Sequence, residues 1–290
     1  MNNQEGKTYG NAWMHKTLIK MLKYINIHVL YAFIAIFIIP FTVIFSSGAK
    51  KTFHYFSKQR RFGRCRSIWN TYRSQVIFGK TVIDKFAMYA GHKFHIHYYG
   101  AESYQQLCQR PQALIQLSAH IGCAEILGYS YNNSKPCSVL VYGGEKESLM
   151  KYRKSAFSGK NIKMIPVATE DSHSEDIILA LERGEVVSAF ADRFMSTKKM
   201  MISSLYGKSI KLARGPFSLA AVRGLDVVMA SAMKERDGSY SAFFTSLKYD
   251  KALPLREQRQ QLADAYCAEI ERLLTKYPLQ WFNYSDIWVS

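Results

Sequence analysis

From about residue 93 the hydrophobic and polar positions fall into two alternating rhythms. Residues 94–99 (FHIHYY) alternate and predict a strand. Residues 113–117 (ALIQL) predict a second strand, followed by a loop around His120 and a helix to about residue 129. Residues 138–142 read as a third strand, 145–156 as a helix and 163–167 as a short strand. A helix over 174–183 stops at Gly184 and leads into a strand over 185–191. A helix over 216–222 has Pro216 at its first position and Gly224 beyond its end. The strand 227–232 then turns at Asp237-Gly238 into a strand over 240–247. Pro254 opens a long helix whose apolar face is Leu262, Tyr266, Ile270, Leu273 and Leu274. Strands alternating with helices predict an α/β fold class, a mixed central sheet flanked by helices.

The N-terminal third has a different pattern. Residues 29–45 (VLYAFIAIFIIPFTVIF) carry no charge, which is near the lower length limit for a membrane-spanning helix, and Ile25 and Ile27 extend the run. A cleaved signal peptide fits less well, because the 28 preceding residues are too long for an ordinary charged leader and Lys50-Lys51 follow at once. A core helix fits less well too, since the run has no polar face. Pro40 marks a place where the segment kinks or dips in without crossing. Residues 13–24 form an amphipathic lead-in, with Leu18, Met21 and Leu22 between lysines. Residues 53–90 mix aromatic, aliphatic and basic residues and suggest helices on a membrane surface or against the main domain. Three regions result: residues 1–50 with an anchor spanning about 27–45, a basic helical region over 51–92, and an α/β domain over 93–290.

Charge sharpens this division. The formal net charge of the 290 residues is +17, of which residues 1–66 supply +10. Lys50, Lys51, Lys58, Arg60, Arg61, Arg64 and Arg66 crowd the C-terminal side of the apolar run, which by the positive-inside rule places the bulk of the chain in the cytoplasm. The same row attracts an anionic membrane surface at roughly 1 kcal/mol per basic side chain. No RNA- or DNA-binding motif accompanies it, so nucleic acid is not the expected partner. The five cysteines (65, 108, 123, 137, 267) show no metal spacing and are odd in number, which argues against a disulfide framework. His92, His95 and His97 lack a Cys or carboxylate partner nearby, and no metal site is expected.

The candidate chemistry lies in Ser118-Ala119-His120-Ile121-Gly122-Cys123-Ala124-Glu125. A histidine that takes a proton from a hydroxyl works best with a carboxylate fixing its tautomer. Positions five apart on a straight helix point about 140° away from each other. His120 and Glu125 therefore meet only if His120 sits in the loop and Glu125 in the first turns of the helix. Chance alone places many His and Glu residues at this spacing. Cys123 suggests an acyl-enzyme, but a small buried apolar residue is the commoner reason for a cysteine there.

With these pieces in order, the chain resembles the lipid A biosynthesis (lauroyl/myristoyl) acyltransferases of the lysophospholipid acyltransferase superfamily. The resemblance rests on the anchor and on His120-Ile121-Gly122-Cys123-Ala124-Glu125, set against a family pattern of the type HxGNWE. It rests further on the block ending Phe190-Ala191-Asp192-Arg193, on Leu205-Tyr206-Gly207, on the helix and strand over 215–228, and on the closing Tyr277-Pro278-Leu279-Gln280-Trp281-Phe282. The blocks run in order over about residues 20–285. The chain departs from the family at Cys123-Ala124, at Gly143-Gly144 where an arginine is frequent, and at Asn283-Tyr284 where two arginines are common.

The resemblance implies a glycerol-phosphate-acyltransferase-like fold on a bacterial inner membrane, with the catalytic domain on the cytoplasmic side. It implies acyl transfer from an acyl-carrier-protein or acyl-CoA thioester to a hydroxyl of a lipid acceptor, with no other cofactor. His120 is the expected base and Glu125 its orienting acid. Backbone N–H groups at the start of the helix after His120 are the expected oxyanion donors, with Gly122 allowing close approach. Asp192 closes a strand, where α/β sheets meet ligands, or else pairs with Arg193. Arg193, Lys208 and Arg214 form a basic stretch suited to an acidic carrier or a phosphate, and Arg153 is a further candidate. The lost basic positions leave room for another acceptor, an aryl-polyene, glycolipid or aminolipid. A non-catalytic membrane-surface protein is the reading from a different class.

Overall fold

A computed structural model describes residues 12–130, 134–142, 160–167, 174–194 and 199–289. Helix α1 covers Ala12–Leu22. Helix α2, Ile27–Phe45, is long and apolar enough by length and composition to cross a membrane. Pro40 does not break α2. A π turn over Ile34–Ile38 precedes it, in which the Ile39 N–H reaches back to the Ile34 carbonyl. Such a turn absorbs the hydrogen bond that a proline removes. Helix α3, Ser47–His54, is capped by the Ser46 side chain accepting from the Ala49 N–H at 3.0 Å. Helix α4, Arg64–Tyr89, is 26 residues long and carries the three preceding helices on its side.

The remaining chain builds the α/β fold that the alternation predicts. Strand β1 is Ile96–Tyr99 and α5 is Ala101–Gln109. Strand β2, Leu114–Ser118, leads through the His120 loop into the short helix α6, Glu125–Ser130. Strand β3 is Cys137–Tyr142, β4 is Ile162–Val167, α7 is Ser174–Glu182 and β5 is Val186–Phe190. Strands β6 (Met200–Leu205) and β7 (Lys208–Ala213) form a separate hairpin, and α8 is Arg214–Arg223. Strands β8 (Asp226–Lys234) and β9 (Tyr240–Leu247) precede the long α9, Leu255–Lys276. The helix expected over 145–156 lies outside the described residues.

The sheet has the order β1-β9-β8-β2-β5-β3-β4. Strands β8, β2, β5, β3 and β4 run parallel, whereas β9 is antiparallel to β8 and parallel to β1. Strand β2 is central and covered on both faces, which is why it reads as an almost continuous apolar run. Ile115 and Leu117 face a core built with Phe217 of α8 and Leu262, Tyr266 and Leu273 of α9. Leu114 faces a second core with Tyr104 of α5 and Ile126 of α6. A third cluster (Leu22, Tyr31, Ile83, Phe86, Ala87) joins α1 and α2 to α4.

The β6–β7 hairpin and α5 were not among the predicted elements. The hairpin turns on Tyr206 and Gly207, both with positive φ (53° and 69°), a two-residue turn that matches strand twist.

Candidate functional site

The site forms where two adjacent parallel strands end. Strands β2 and β5 pair in register from Leu114↔Val186 to Ser118↔Phe190. Extending that register by two residues sets His120 beside Asp192. The Ala191 N–H still bonds to the Ser118 carbonyl at 3.2 Å, so the two chains stay together past the strand ends. Loops at the carboxyl ends of parallel strands are where α/β sheets meet ligands.

Asp192 holds His120 by two bonds. Its Oδ2 accepts from the His120 backbone N–H at 2.7 Å, and its Oδ1 lies 2.8 Å from His120 Nδ1. Asn283 Nδ2 donates to Asp192 Oδ2 at 3.1 Å and to the Asp192 carbonyl at 2.7 Å. The Asp192 side chain is 1% exposed and that of His120 is 26% exposed. Burial would raise the Asp192 carboxyl, but the His120 ring and N–H, together with the Arg193 guanidinium, outweigh it and hold the carboxyl below its ordinary value. An ionised carboxylate only accepts, so Nδ1 carries the proton of the neutral ring and Nε2 carries the lone pair. The Phe190 ring packs on the imidazole at 4.6 Å between centroids.

The loop itself is clamped from two sides. The closing segment runs antiparallel to it: Gly122 N–H donates to the Gln280 carbonyl at 3.0 Å and Phe282 N–H to the His120 carbonyl at 2.8 Å. The Gln280 side chain bonds both the N–H and the carbonyl of Lys234, at 2.9 and 2.7 Å. On the other side Cys123 N–H donates to the Ala232 carbonyl at 2.7 Å. Gly122 has φ +56°, and a Cβ there would stand 2.1 Å from the Ala232 carbonyl oxygen. The glycine is required by the approach of the loop to β8. Tyr266 of α9 closes the base of the site, donating to the Ser118 carbonyl at 2.8 Å.

One expectation is corrected by this geometry. The carboxylate on His120 Nδ1 is Asp192, not Glu125. Glu125 does open α6 while His120 sits in the loop, as the spacing required, but Glu125 pairs with Lys85 of α4 at 2.7 Å. The N–H groups of Ile121, Gly122 and Cys123 donate to the Ala119, Gln280 and Ala232 carbonyls, which fixes the loop ahead of α6.

The other candidates fall at different distances. Arg193 follows Asp192 directly, and its Nε donates to Asn283 Oδ1 at 3.4 Å. Arg214 is exposed at the start of α8, one residue from the Ala213 N–H that bonds to the Ala191 carbonyl at 3.0 Å. Lys208 is tied away, its Nζ donating to the Lys58 carbonyl at 2.8 Å. Arg153 lies outside the described residues. Burial, with Glu125 adding to it, pushes the Cys123 thiol up to about 12, so at neutral pH it is a thiol and a poor nucleophile. Among the described residues no group of three or more His, Cys, Asp or Glu side chains could hold a metal ion. Asn283, Gln280 and Lys85 are the residues that sequence reading missed. Asn283 and Gln280 lay in the closing block, but nothing local signals that this block returns to His120.

The fold and site define a mixed α/β protein with a carboxylate-held histidine at the ends of neighbouring strands. No family model matches the chain, and no curated protein matches it.

Proposed function

We propose that this protein is a membrane-associated acyltransferase that moves a fatty acyl group from an acyl-carrier-protein or acyl-CoA thioester to a hydroxyl of a lipid acceptor. The observation that carries the reading is the part-exposed His120, whose Nδ1 is fixed by the buried Asp192. In the proposed step His120 Nε2 takes the acceptor's hydroxyl proton as its oxygen attacks the thioester carbonyl. The tetrahedral intermediate collapses with cleavage of the C–S bond, and the proton passes from His120 to the departing thiolate. Asp192 steadies the imidazolium formed between these events. A positioned base of this kind is worth typically about 10²–10⁴-fold. Arg193 adjoins the carboxylate, and its guanidinium is the group this reading assigns to a phosphate of donor or acceptor.

The reading extends to the resemblance: a glycerol-phosphate-acyltransferase-like arrangement, a lipid A precursor-like acceptor, and a cytoplasmic site on a bacterial inner membrane. A less charged amphiphile such as an aryl-polyene, glycolipid or aminolipid is favoured by one observation. Asn283 and Tyr284 stand where the family commonly has arginines, and both are engaged internally, Asn283 on Asp192 and Tyr284 accepting from Gln75 at 3.1 Å. The test is a His120→Ala chain of normal abundance, supplied in membranes with radiolabelled acyl-carrier-protein and acyl-CoA donors. Loss of label in the lipid fraction supports the reading, and undiminished transfer overturns it. Lipid profiles of cells with and without the protein name the acceptor; unchanged acylation of lipid A removes that acceptor.

A further inference from the structure

We infer that α2 lies in the plane of a single leaflet and does not cross the bilayer, so that α1, α3 and the α/β domain all sit on one side of the membrane. The chain at both ends of α2 is held to α4. Before it, α1 is fixed to the C-terminal half of α4: Leu22 is fully buried with Ile83, Phe86 and Ala87, and the His15 and Phe86 rings lie 5.2 Å apart. His92, just beyond α4, also meets the Leu22 carbonyl at 2.7 Å. After α2, α3 is fixed to the middle of the same helix, where Gln75 Nε2 donates to Thr52 Oγ1 at 3.1 Å. The next residues reach the site itself, with the Tyr55 ring stacked on Trp281 at 5.3 Å.

Helix α2 is held to α4 between those points as well. Tyr31 donates to the buried Asp84, which also pairs with Lys234 of β8 at 2.5 Å. Tyr72 donates to the Ala35 carbonyl at 3.1 Å, and Ile39 is buried. Gly79 gives room to Ile34, whose Cδ1 would lie 2.7 Å from a Cβ there. For α2 to span, α4 would have to span beside it. That would carry Arg73, Lys80 and Lys85 into hydrocarbon at roughly 2.5–3.5 kcal/mol for each charged residue near the centre. It would also carry in the segment around Phe282 and Tyr284, which packs on Phe78.

The free side of α2 fits a lipid surface. Val29, Phe33, Ile36, Phe37, Phe41, Ile44 and Phe45 are each between 50% and 77% exposed. Trp13 and Tyr24 flank this face, 71% and 82% exposed, as interfacial aromatics do. Exposed Lys50, Lys51, Arg61, Arg64 and Arg66 border its C-terminal end, matching an anionic leaflet. An apolar face under a basic border, on a helix packed from behind, describes a helix lying in the interface.

This inference rests on the membrane placement proposed above but not on acyl transfer. The test compares two full-length chains in inside-out and right-side-out bacterial membrane vesicles, using a membrane-impermeant maleimide. One chain keeps the exposed Cys65 of α4, and the other carries Cys65→Ser with Trp13→Cys on α1. In-plane insertion predicts that both are labelled in the same vesicle orientation. Labelling of the Trp13→Cys chain only in the orientation opposite to Cys65 overturns the inference and leaves a spanning helix. Recovery of both chains in the supernatant overturns the membrane placement and the inference together, while His120→Ala still decides the chemistry.

Discussion

Asp192→Asn separates the geometry of this site from the one the sequence spacing suggests. Oδ2 of Asp192 accepts from two N–H donors, the His120 backbone at 2.7 Å and Asn283 Nδ2 at 3.1 Å. An asparagine must therefore put its carbonyl oxygen there and its NH₂ toward His120 Nδ1. Nδ1 then has to accept, the ring proton moves to Nε2, and the lone pair that the proposed base catalysis requires is lost. In a serine-protease triad the same change of tautomer lowers kcat by about 10⁴. The expectation here is about 10³–10⁴, or roughly 4–5.5 kcal/mol of barrier at 1.36 kcal/mol per tenfold. Stability should fall less, by about 1–3 kcal/mol, because the shape and two of the bonds survive. The assay is the initial rate of acyl transfer into membrane lipid from a saturating thioester, normalised to membrane-bound protein, with His120→Ala as the floor. An Asp192→Asn chain that keeps more than about a tenth of the rate would refute the orienting role of Asp192.

Glu125→Gln and Lys85→Met break one ion pair, so the two single variants and the double variant should lose similar activity and stability, within about 0.5 kcal/mol; additive losses in a double-mutant cycle would refute the pairing. The Asp192 carboxyl lies below its ordinary value of 3.8, so its stabilisation is present above that pH and is lost as pH falls through its lower folded value. Denaturant unfolding between pH 5 and about 2 should therefore fall less steeply for Asp192→Asn than for the wild type. Gly122→Ala combines positive φ with a Cβ 2.1 Å from the Ala232 oxygen and should destabilise by at least about 2 kcal/mol, read as a lowered Tm with loss of transfer. Lys234→Met strands the fully buried Asp84 and should cost about 3–5 kcal/mol by thermal unfolding, whereas restoring the cation with Lys234→Arg should recover part of it.

Strand β9 was legible at the bounds expected of it, and β2, β5, β8 and α9 to within a few residues. The strands read as short apolar runs and α9 keeps a helical apolar period, while Gly184, Gly224 and Pro254 punctuate the ends. Helix α5 was harder: with Tyr104 and Cys108 buried among exposed polar positions, nine residues give too short a pattern to separate from a loop. The hairpin β6–β7 was hidden for a different reason: in β6 the apolar Ile202 faces outward while the polar Ser203 is buried, which inverts the usual pattern.

By itself the sequence determined that His120 would sit in a loop after a buried strand, that the chain alternates strands and helices, and that one apolar helix precedes a basic border. These are properties of neighbours along the chain, where side-chain period, glycine and proline act directly on the backbone. Only the tertiary structure decided which carboxylate meets His120. Glu125 is five residues away yet turns to Lys85, and Asp192 is 72 residues away yet lies in hydrogen-bond contact. The reason is the parallel β2–β5 register, an inter-strand quantity that no local pattern encodes. The tertiary structure likewise decided the setting of α2. Its composition gives length and apolarity alone, whereas the attachment of both its ends to α4 depends on Leu22, Tyr31 and Thr52 finding partners far along the chain.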